Sequence, residues 1–71
     1  NPSSTFINLN LLSEETTSLP FIIVNLLGQK FMTGILKEGL NGIDISDLPA
    51  GQYHMVIQSA HHVKIKSFIV E

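Results

Sequence analysis

The residues of this sequence that could bind a metal or transfer a proton are three histidines and a few acids. His61 and His62 are adjacent, so in an extended backbone their rings would point to opposite sides. No third nitrogen, sulfur or carboxylate ligand lies close to them in sequence, whereas a protein zinc site needs about three or four ligands. The pattern therefore favours a solvated turn over a metal site, and His54 lacks a partner of its own.

Four of the six acidic residues form two pairs. Glu14 and Glu15 are neighbours in a stretch that reads as a loop, where carboxylates are normally solvated. Asp44 and Asp47 could flank a calcium ion, but calcium takes about six to eight oxygen ligands and this loop offers too few charged ones. No serine has a nucleophile-elbow signature around it. The sequence thus predicts a protein that is not an enzyme, with no catalytic residue, no metal and no cofactor.

Composition limits the chain to one small core. The chain has 71 residues and no cysteine, with 44% hydrophobic and 14% charged residues. A core of this size must come from burial and strand pairing alone, and we expect one domain over residues 1–71. The net charge is −2 and the lysines are scattered, which excludes a nucleic-acid footprint. No apolar run approaches the roughly 18 residues of a membrane span.

Apolar residues recur mainly at every second position, which indicates β-strands. One run, 21–26, is apolar on both faces, as in a central strand of a packed sheet. About six to seven short strands separated by turn signals are typical of a small Ig-like antiparallel β-sandwich, so the predicted fold is all-β. The predicted strands are 5–11, 21–26, 30–36, 43–46, 52–59 and 63–70.

Turn residues separate these strands. Residues 27–29 contain a glycine and predict a hairpin between the second and third strands, and 59–62 predict another before the last strand. Residues 48–51 have proline at the second position and glycine at the fourth, which predicts a type I turn. Ser13 caps a short acidic stretch, but the breakers that follow it up to Pro20 favour a loop over a helix.

The last predicted strand has two unlike faces. Its residues divide into Val63, Ile65 and Ile69 on one face and Lys64, Lys66, Phe68 and Val70 on the other. Lysines on an edge strand protect it from pairing with other edges. A free edge is equally a place where a partner can add a strand. The sequence leaves both roles open.

Four segments together resemble a known family. They are Asn1-Pro2, residues 23–29 (Ile-Val-Asn-Leu-Leu-Gly-Gln), residues 39–53 (Gly-Leu-Asn-Gly-Ile-Asp-Ile-Ser-Asp-Leu-Pro-Ala-Gly-Gln-Tyr) and residues 66–70 (Lys-Ser-Phe-Ile-Val). Their order and spacing resemble the type A C-terminal sorting domain of the type IX secretion system of Gram-negative bacteria. The central segment is the most specific of the four.

Residues of these segments are also expected to be structural. Gly39 and Gly42 flank Asn41 where a loop should turn into a strand, because glycine and asparagine tolerate positive φ. The apolar residues that follow should supply core contacts on both sides of Pro49. The predicted structural positions are Gly28, Gly39, Asn41, Asp44, Leu48, Gly51 and Tyr53.

The resemblance implies a role in sorting. The domain would pass the periplasm as the tail of an attached cargo protein and be recognised by the outer-membrane translocon. A sortase-like cysteine peptidase would then remove it, leaving the cargo at the cell surface or secreted. The chain would be a monomer or a strand-swapped dimer. The residues expected to contact the translocon are Lys64, Lys66, Phe68, Ile69 and Val70.

A second hypothesis is an Ig-like accessory domain of a surface enzyme or adhesin, which would stabilise its neighbour or bind glycan. Glycan-binding sandwiches usually display exposed tryptophan or tyrosine. The chain has no tryptophan and one tyrosine, and alternation along its strand places Tyr53 inside. The composition therefore favours the sorting role.

Overall fold

The computed structural model describes residues 6–11 and 18–71, and these residues form strands and no helix. Asn1-Pro2 and the predicted loop at 13–16 lie outside the described residues. The strands are β1 (Phe6–Leu11), β2 (Ser18–Asn25), β3 (Lys30–Lys37), β4 (Gly39–Asp44), β5 (Gly51–Gln58) and β6 (Val63–Val70).

The six strands form two antiparallel sheets. One sheet has four strands in the order β3-β2-β5-β6, and the other pairs β1 with β4. Apolar residues of both sheets meet in one core. The prediction of an all-β, small Ig-like antiparallel sandwich is confirmed.

β2 is a central strand, as its apolar character on both faces predicts. It pairs with β3 on one side and with β5 on the other. It begins earlier than predicted, at Ser18, and contains Pro20. β5 pairs with β2 only from Phe21 onwards, so Pro20 lies just beyond the β2–β5 pairing, and it pairs with Ile35 of β3 on the other side.

A hydrogen-bonded turn at 45–48 precedes the turn that the sequence predicts at 48–51. The backbone N–H of Leu48 donates to the carbonyl of Ile45 (3.1 Å), and the N–H of Ser46 donates to Oδ1 of Asp44 (2.9 Å). The Asp44 side chain starts this first reversal through its hydrogen bond with Ser46. The chain bends again at Leu48 and Ala50, within the turn predicted at 48–51, and the type I geometry there stays a prediction.

The prediction that Asn41 lies in a loop was wrong. Residues 39–44 are strand β4, which pairs with β1 from Gly39↔Leu11 to Asp44↔Phe6. Of the residues singled out here, only Gly39 has a positive φ, at 98°. The partner strand lies about thirty positions earlier in the chain, and no local pattern reveals such a pairing.

The core lies between the two sheets. Tyr53, Met55 and Ile57 alternate inward along β5, as predicted, and Tyr53 is only 3% exposed. No polar or charged side chain of the described residues is buried. The buried residues are Phe21, Ile23, Leu36, Ile43, Ile45, Leu48, Tyr53, Met55 and Ile57.

Replacing Gly34 by alanine should destabilise the sandwich. Gly34 lies opposite Phe21 across β2 and β3, and a Cβ atom there would lie 2.6 Å from Cζ of the Phe21 ring. Because that ring is buried, we expect a cost of about 1 to 3 kcal/mol in the free energy of unfolding, measured by urea denaturation. Gly42→Ala is the matched control, since its Cβ would meet no atom closer than 3.6 Å. Equal stabilities of the two variants would contradict the assignment.

Candidate recognition surface on strand β6

β6 is an edge strand of the four-stranded sheet. One side pairs with β5 over the whole strand, from Gly51↔Val70 to Gln58↔Val63. The other side has no strand partner among the described residues. Half of the backbone N–H and C=O groups of β6 therefore point towards a position where another strand could bind.

The register with β5 places the two faces of β6. Lys64, Lys66 and Phe68 lie opposite the core residues Ile57, Met55 and Tyr53, so these three side chains are on the inner face. Ile65 and Ile69 are on the outer face and are 61% and 68% exposed. The five residues predicted to contact the translocon are therefore divided between two faces and do not form one continuous surface.

Phe68 and Val70 join the end of β6 to the core. The Phe68 ring stacks on Tyr53 with centroids 5.6 Å apart and an interplanar angle of 22°. Both Phe68 and Val70 are half-buried and pack against the core cluster. Ile69 lies between them in sequence but faces away from the core. Of these three residues, Ile69 is the one with a side chain open to a partner.

Lys64 and Lys66 lie on the inner face of β6. Both are exposed, and they line a groove whose other wall includes Leu9 and Leu11 of β1. Inward-pointing charges on an edge strand are a known protection against edge-to-edge pairing, because a second strand would bring charged groups into the sandwich. The two ammonium groups are also cationic contacts for any partner that enters the groove.

Tyr53 stabilises the start of β5. Its hydroxyl donates a hydrogen bond to the carbonyl of Pro49, and its ring meets Phe31 edge-on with centroids 5.4 Å apart. A tyrosine at the start of a strand that bonds back to the preceding corner is a recurrent feature of Ig-like sandwiches. Leu48 is buried beside this corner, and Gly51 has a φ of 155° where β5 begins.

Asn41 stabilises the corner between β3 and β4 by side-chain hydrogen bonds. Its Oδ1 accepts a hydrogen bond from the N–H of Lys37 (2.9 Å). Its Nδ2 donates to the carbonyls of Lys37 (2.7 Å) and Gly39 (3.0 Å) and lies 3.4 Å from that of Leu9 on β1. One amide thus ties together three strands that belong to both sheets.

Asn25 stabilises the turn between β2 and β3 in a similar way, through its side-chain amide. This role was not predicted from the sequence. Its Oδ1 accepts from the N–H groups of Leu27 and Gln29 (both 2.9 Å), and Gly28 has a φ of 85°. A signal was available in the sequence: an asparagine at the end of a strand with a glycine three residues later.

Asp44 ends β4 and is fully exposed. The Ser46 hydroxyl and then the Ser46 backbone N–H donate hydrogen bonds to its carboxylate, which lowers the pKa of Asp44 below its ordinary value. Because the pKa is lowered in the folded state, this contribution to stability is present above the unfolded pKa. It is lost as the pH falls through the folded pKa, in the strongly acidic range.

The histidines lie at the surface. His54 Nδ1 is 2.9 Å from Oγ of Ser67, which links β5 to β6 on the outer face. His61 and His62 are in the predicted turn, which the N–H of Ser59 closes on the carbonyl of His62 (2.9 Å). Within residues 6–11 and 18–71, no three His, Cys, Asp or Glu side chains are placed to hold a metal ion. Within the same residues there is also no helix suited to crossing a membrane.

Comparison with known proteins identifies the family of this chain. No curated protein and no solved structure matches the chain. A family model described as a secretion system C-terminal sorting domain matches residues 1–71, the whole chain. A domain of this kind is attached to a cargo protein that Gram-negative bacteria export to the cell surface or secrete, and the family is not known as one of enzymes. The chain belongs to the family of C-terminal sorting domains of the type IX secretion system.

Proposed function

We propose that residues 1–71 act as a single sorting domain that the outer-membrane translocon recognises through β6 after passage through the periplasm. A sortase-like cysteine peptidase then separates the domain from its cargo. The observation that carries the proposal is the free edge of β6. It is the last strand of the described sequence, and no other described strand pairs with its second side.

The residues of β6 have different roles in the proposed recognition. Phe68 and Val70 pack against the core and hold the end of the strand in the sheet. Ile69, 68% exposed, offers an apolar contact on the outer face. Lys64 and Lys66 offer positive charge on the inner face, so a partner strand that carries carboxylates would neutralise them. A partner strand added to the edge would gain backbone hydrogen bonds and both side-chain contacts at once.

The accessory-domain hypothesis receives no support from the tyrosine. The single tyrosine is 3% exposed, and Phe68 stacks on it from within the sandwich. A glycan platform needs an aromatic face open to solvent, and Tyr53 does not offer one. Removal of the domain by a peptidase rests on the resemblance to members that are processed in this way.

Trimming residues 69–71 should stop surface delivery of an exported reporter fused to the domain, while most of the sandwich stays folded. The trimmed end loses the Gly51↔Val70 pairing and the exposed Ile69 but keeps the stack of Phe68 on Tyr53. Surface and periplasmic reporter levels measure delivery, and a thermal melt of the trimmed domain measures folding. Strand ends fray at low cost, so the melt should shift less than that of any Tyr53 variant.

Point variants separate recognition from folding. Ile69→Ala and Lys64→Ala with Lys66→Ala remove exposed groups of β6, and Leu27→Ala is the matched control because Leu27 is 85% exposed in the turn between β2 and β3. We expect reduced delivery for the β6 variants and normal delivery for the control. Normal delivery of the trimmed fusion and of the β6 variants would remove β6 from the mechanism.

A further inference from the structure

The outer face of the four-stranded sheet, which is the face turned away from β1 and β4, carries eight apolar side chains among the sixteen that the register places on it, and most of them are neighbours in the middle of the face. The register brings side chains of all four strands onto it in rows that run across the sheet, such as Thr33, Ile22, Val56 and Ile65. Its apolar members are Pro20, Ile22, Val24, Ile35, Val56, Val63, Ile65 and Ile69. None of them belongs to the core cluster or to the residues packed against it.

This face is exposed where a soluble sheet is normally polar. Ile35, Val63, Ile65 and Ile69 are 60%, 58%, 61% and 68% exposed. An antiparallel sheet with one face in water usually alternates apolar inward with polar outward, and β6 breaks that rule on its outer face. Contiguous apolar surface of this kind marks an interaction site more often than chance exposure.

Charge on the outer face is scarce and confined to one side. The register adds Lys30 and Lys37 on edge strand β3 and His54 on β5, and it places no carboxylate on this face. The outer side chains of β6, at the opposite edge, are Val63, Ile65, Ser67 and Ile69. A second copy, related by a twofold axis parallel to the strands, would place its β3 over the outer face of β6, which carries no charged side chain. Its lysine stems would cover the isoleucines, and the lysines of the two copies would stay at opposite edges.

The area of the face suits a weak dimer. Strands of eight residues at about 3.3 Å per residue and four strands at about 4.8 Å spacing give roughly 500 Å² per copy. Two copies would bury about 1,000 Å², which is at the lower limit for a specific interface. Two sheets stacked at the usual distance of about 10 Å would interdigitate their β-branched side chains.

The free edge of β6 is a poorer surface for self-association. Pairing two β6 edges would put Lys64 and Lys66 of both copies on one face of a continuous sheet, where like charges oppose pairing. We propose that the outer face is a self-association surface, on which two copies of this chain stack sheet to sheet with β3 of one over β6 of the other. This inference does not depend on the proposed function.

Analytical ultracentrifugation of the 71-residue chain tests the proposal. We expect reversible dimerisation with a dissociation constant on the order of 10 to 1,000 µM. Ile65→Lys should weaken it at least about tenfold, because it places a charge in the middle of the stacked faces. Leu27→Lys makes the same change at an exposed leucine away from the face and should dimerise like the parent. A thermal melt of each variant at low concentration identifies any that fail to fold, and Ile65→Thr is the milder replacement for that case.

A further variant distinguishes face from edge. Lys66→Val removes one guarding charge from β6, so it should strengthen an edge-paired dimer and leave a face-stacked dimer unchanged. A chain that stays monomeric up to millimolar concentration would overturn the proposal. So would a dimer that Lys66→Val strengthens or that Ile65→Lys does not weaken. If the chain is monomeric and Ile65→Lys still prevents surface delivery of a fused reporter, the face binds another protein and the second copy is excluded.

Discussion

Tyr53→Ala should lower the free energy of unfolding by about 3 to 5 kcal/mol, which is the usual cost of deleting a large buried aromatic side chain. The ring is 3% exposed and contacts Phe31 and Phe68, and its hydroxyl bonds to Pro49. Domains of this length are stable by only about 4 to 10 kcal/mol. The variant should therefore be partly unfolded at growth temperature, as a thermal melt and urea denaturation would show.

Tyr53→Phe is the matched control for that result. It keeps the ring and both aromatic contacts but removes the hydrogen bond to the corner, so the loss should be about 0.5 to 1.5 kcal/mol. The difference between the two variants measures the packing of the ring. If Tyr53→Ala melts within a degree or two of the parent, the ring is not part of the core and the corner assignment fails with it.

Asn41→Ala should cost about 2 to 3 kcal/mol, although Asn41 is only half-buried. The change leaves the Lys37 N–H and the carbonyls of Lys37 and Gly39 without their side-chain partner, and it removes the contact with the Leu9 carbonyl of β1. Urea denaturation with a fluorescent or circular dichroism signal measures the loss.

Asn10→Ala provides the comparison for Asn41→Ala. Asn10 is an exposed asparagine of β1 opposite Leu40, and its replacement should change stability by no more than about 0.5 kcal/mol. A loss for Asn41→Ala as small as that for Asn10→Ala would show that the corner does not depend on the side-chain amide.

Alternation was sufficient to predict the parts of the fold that depend on one strand at a time. It placed Tyr53 inside and divided β6 into its two faces, because a side chain's face follows from its position along the strand alone. The family motif pointed to Gly28, Gly39 and Gly51, which are the glycines with positive φ in the described residues. For these features the local sequence contains the necessary information.

Features that need two distant segments were not predictable in this way. The strand at 39–42 read as a loop because its partner, β1, is far away in the chain. Gly34 was not predicted to be structural. A side chain is excluded at this position by the ring of Phe21 on the neighbouring strand, which the local sequence does not reveal. The division of the predicted contact residues between two faces became clear only when the register with β5 fixed which side meets the core. Whether those residues contact the translocon remains a prediction.

The strand order also has a consequence for the time at which the domain can fold. Among the strands that pair with each other, only β2 with β3 and β5 with β6 are joined by short turns, whereas β1 must wait for β4 and β2 must wait for β5. The entropy cost of closing such long loops arises before the contacts that offset it have formed, and this slows folding. The rings of Tyr53 and Phe68 stack only once β6 has emerged, so a nascent chain would hold an incomplete core until its last strand is available. Such a domain is suited to remain unfolded and extensible during synthesis and to fold as a unit afterwards.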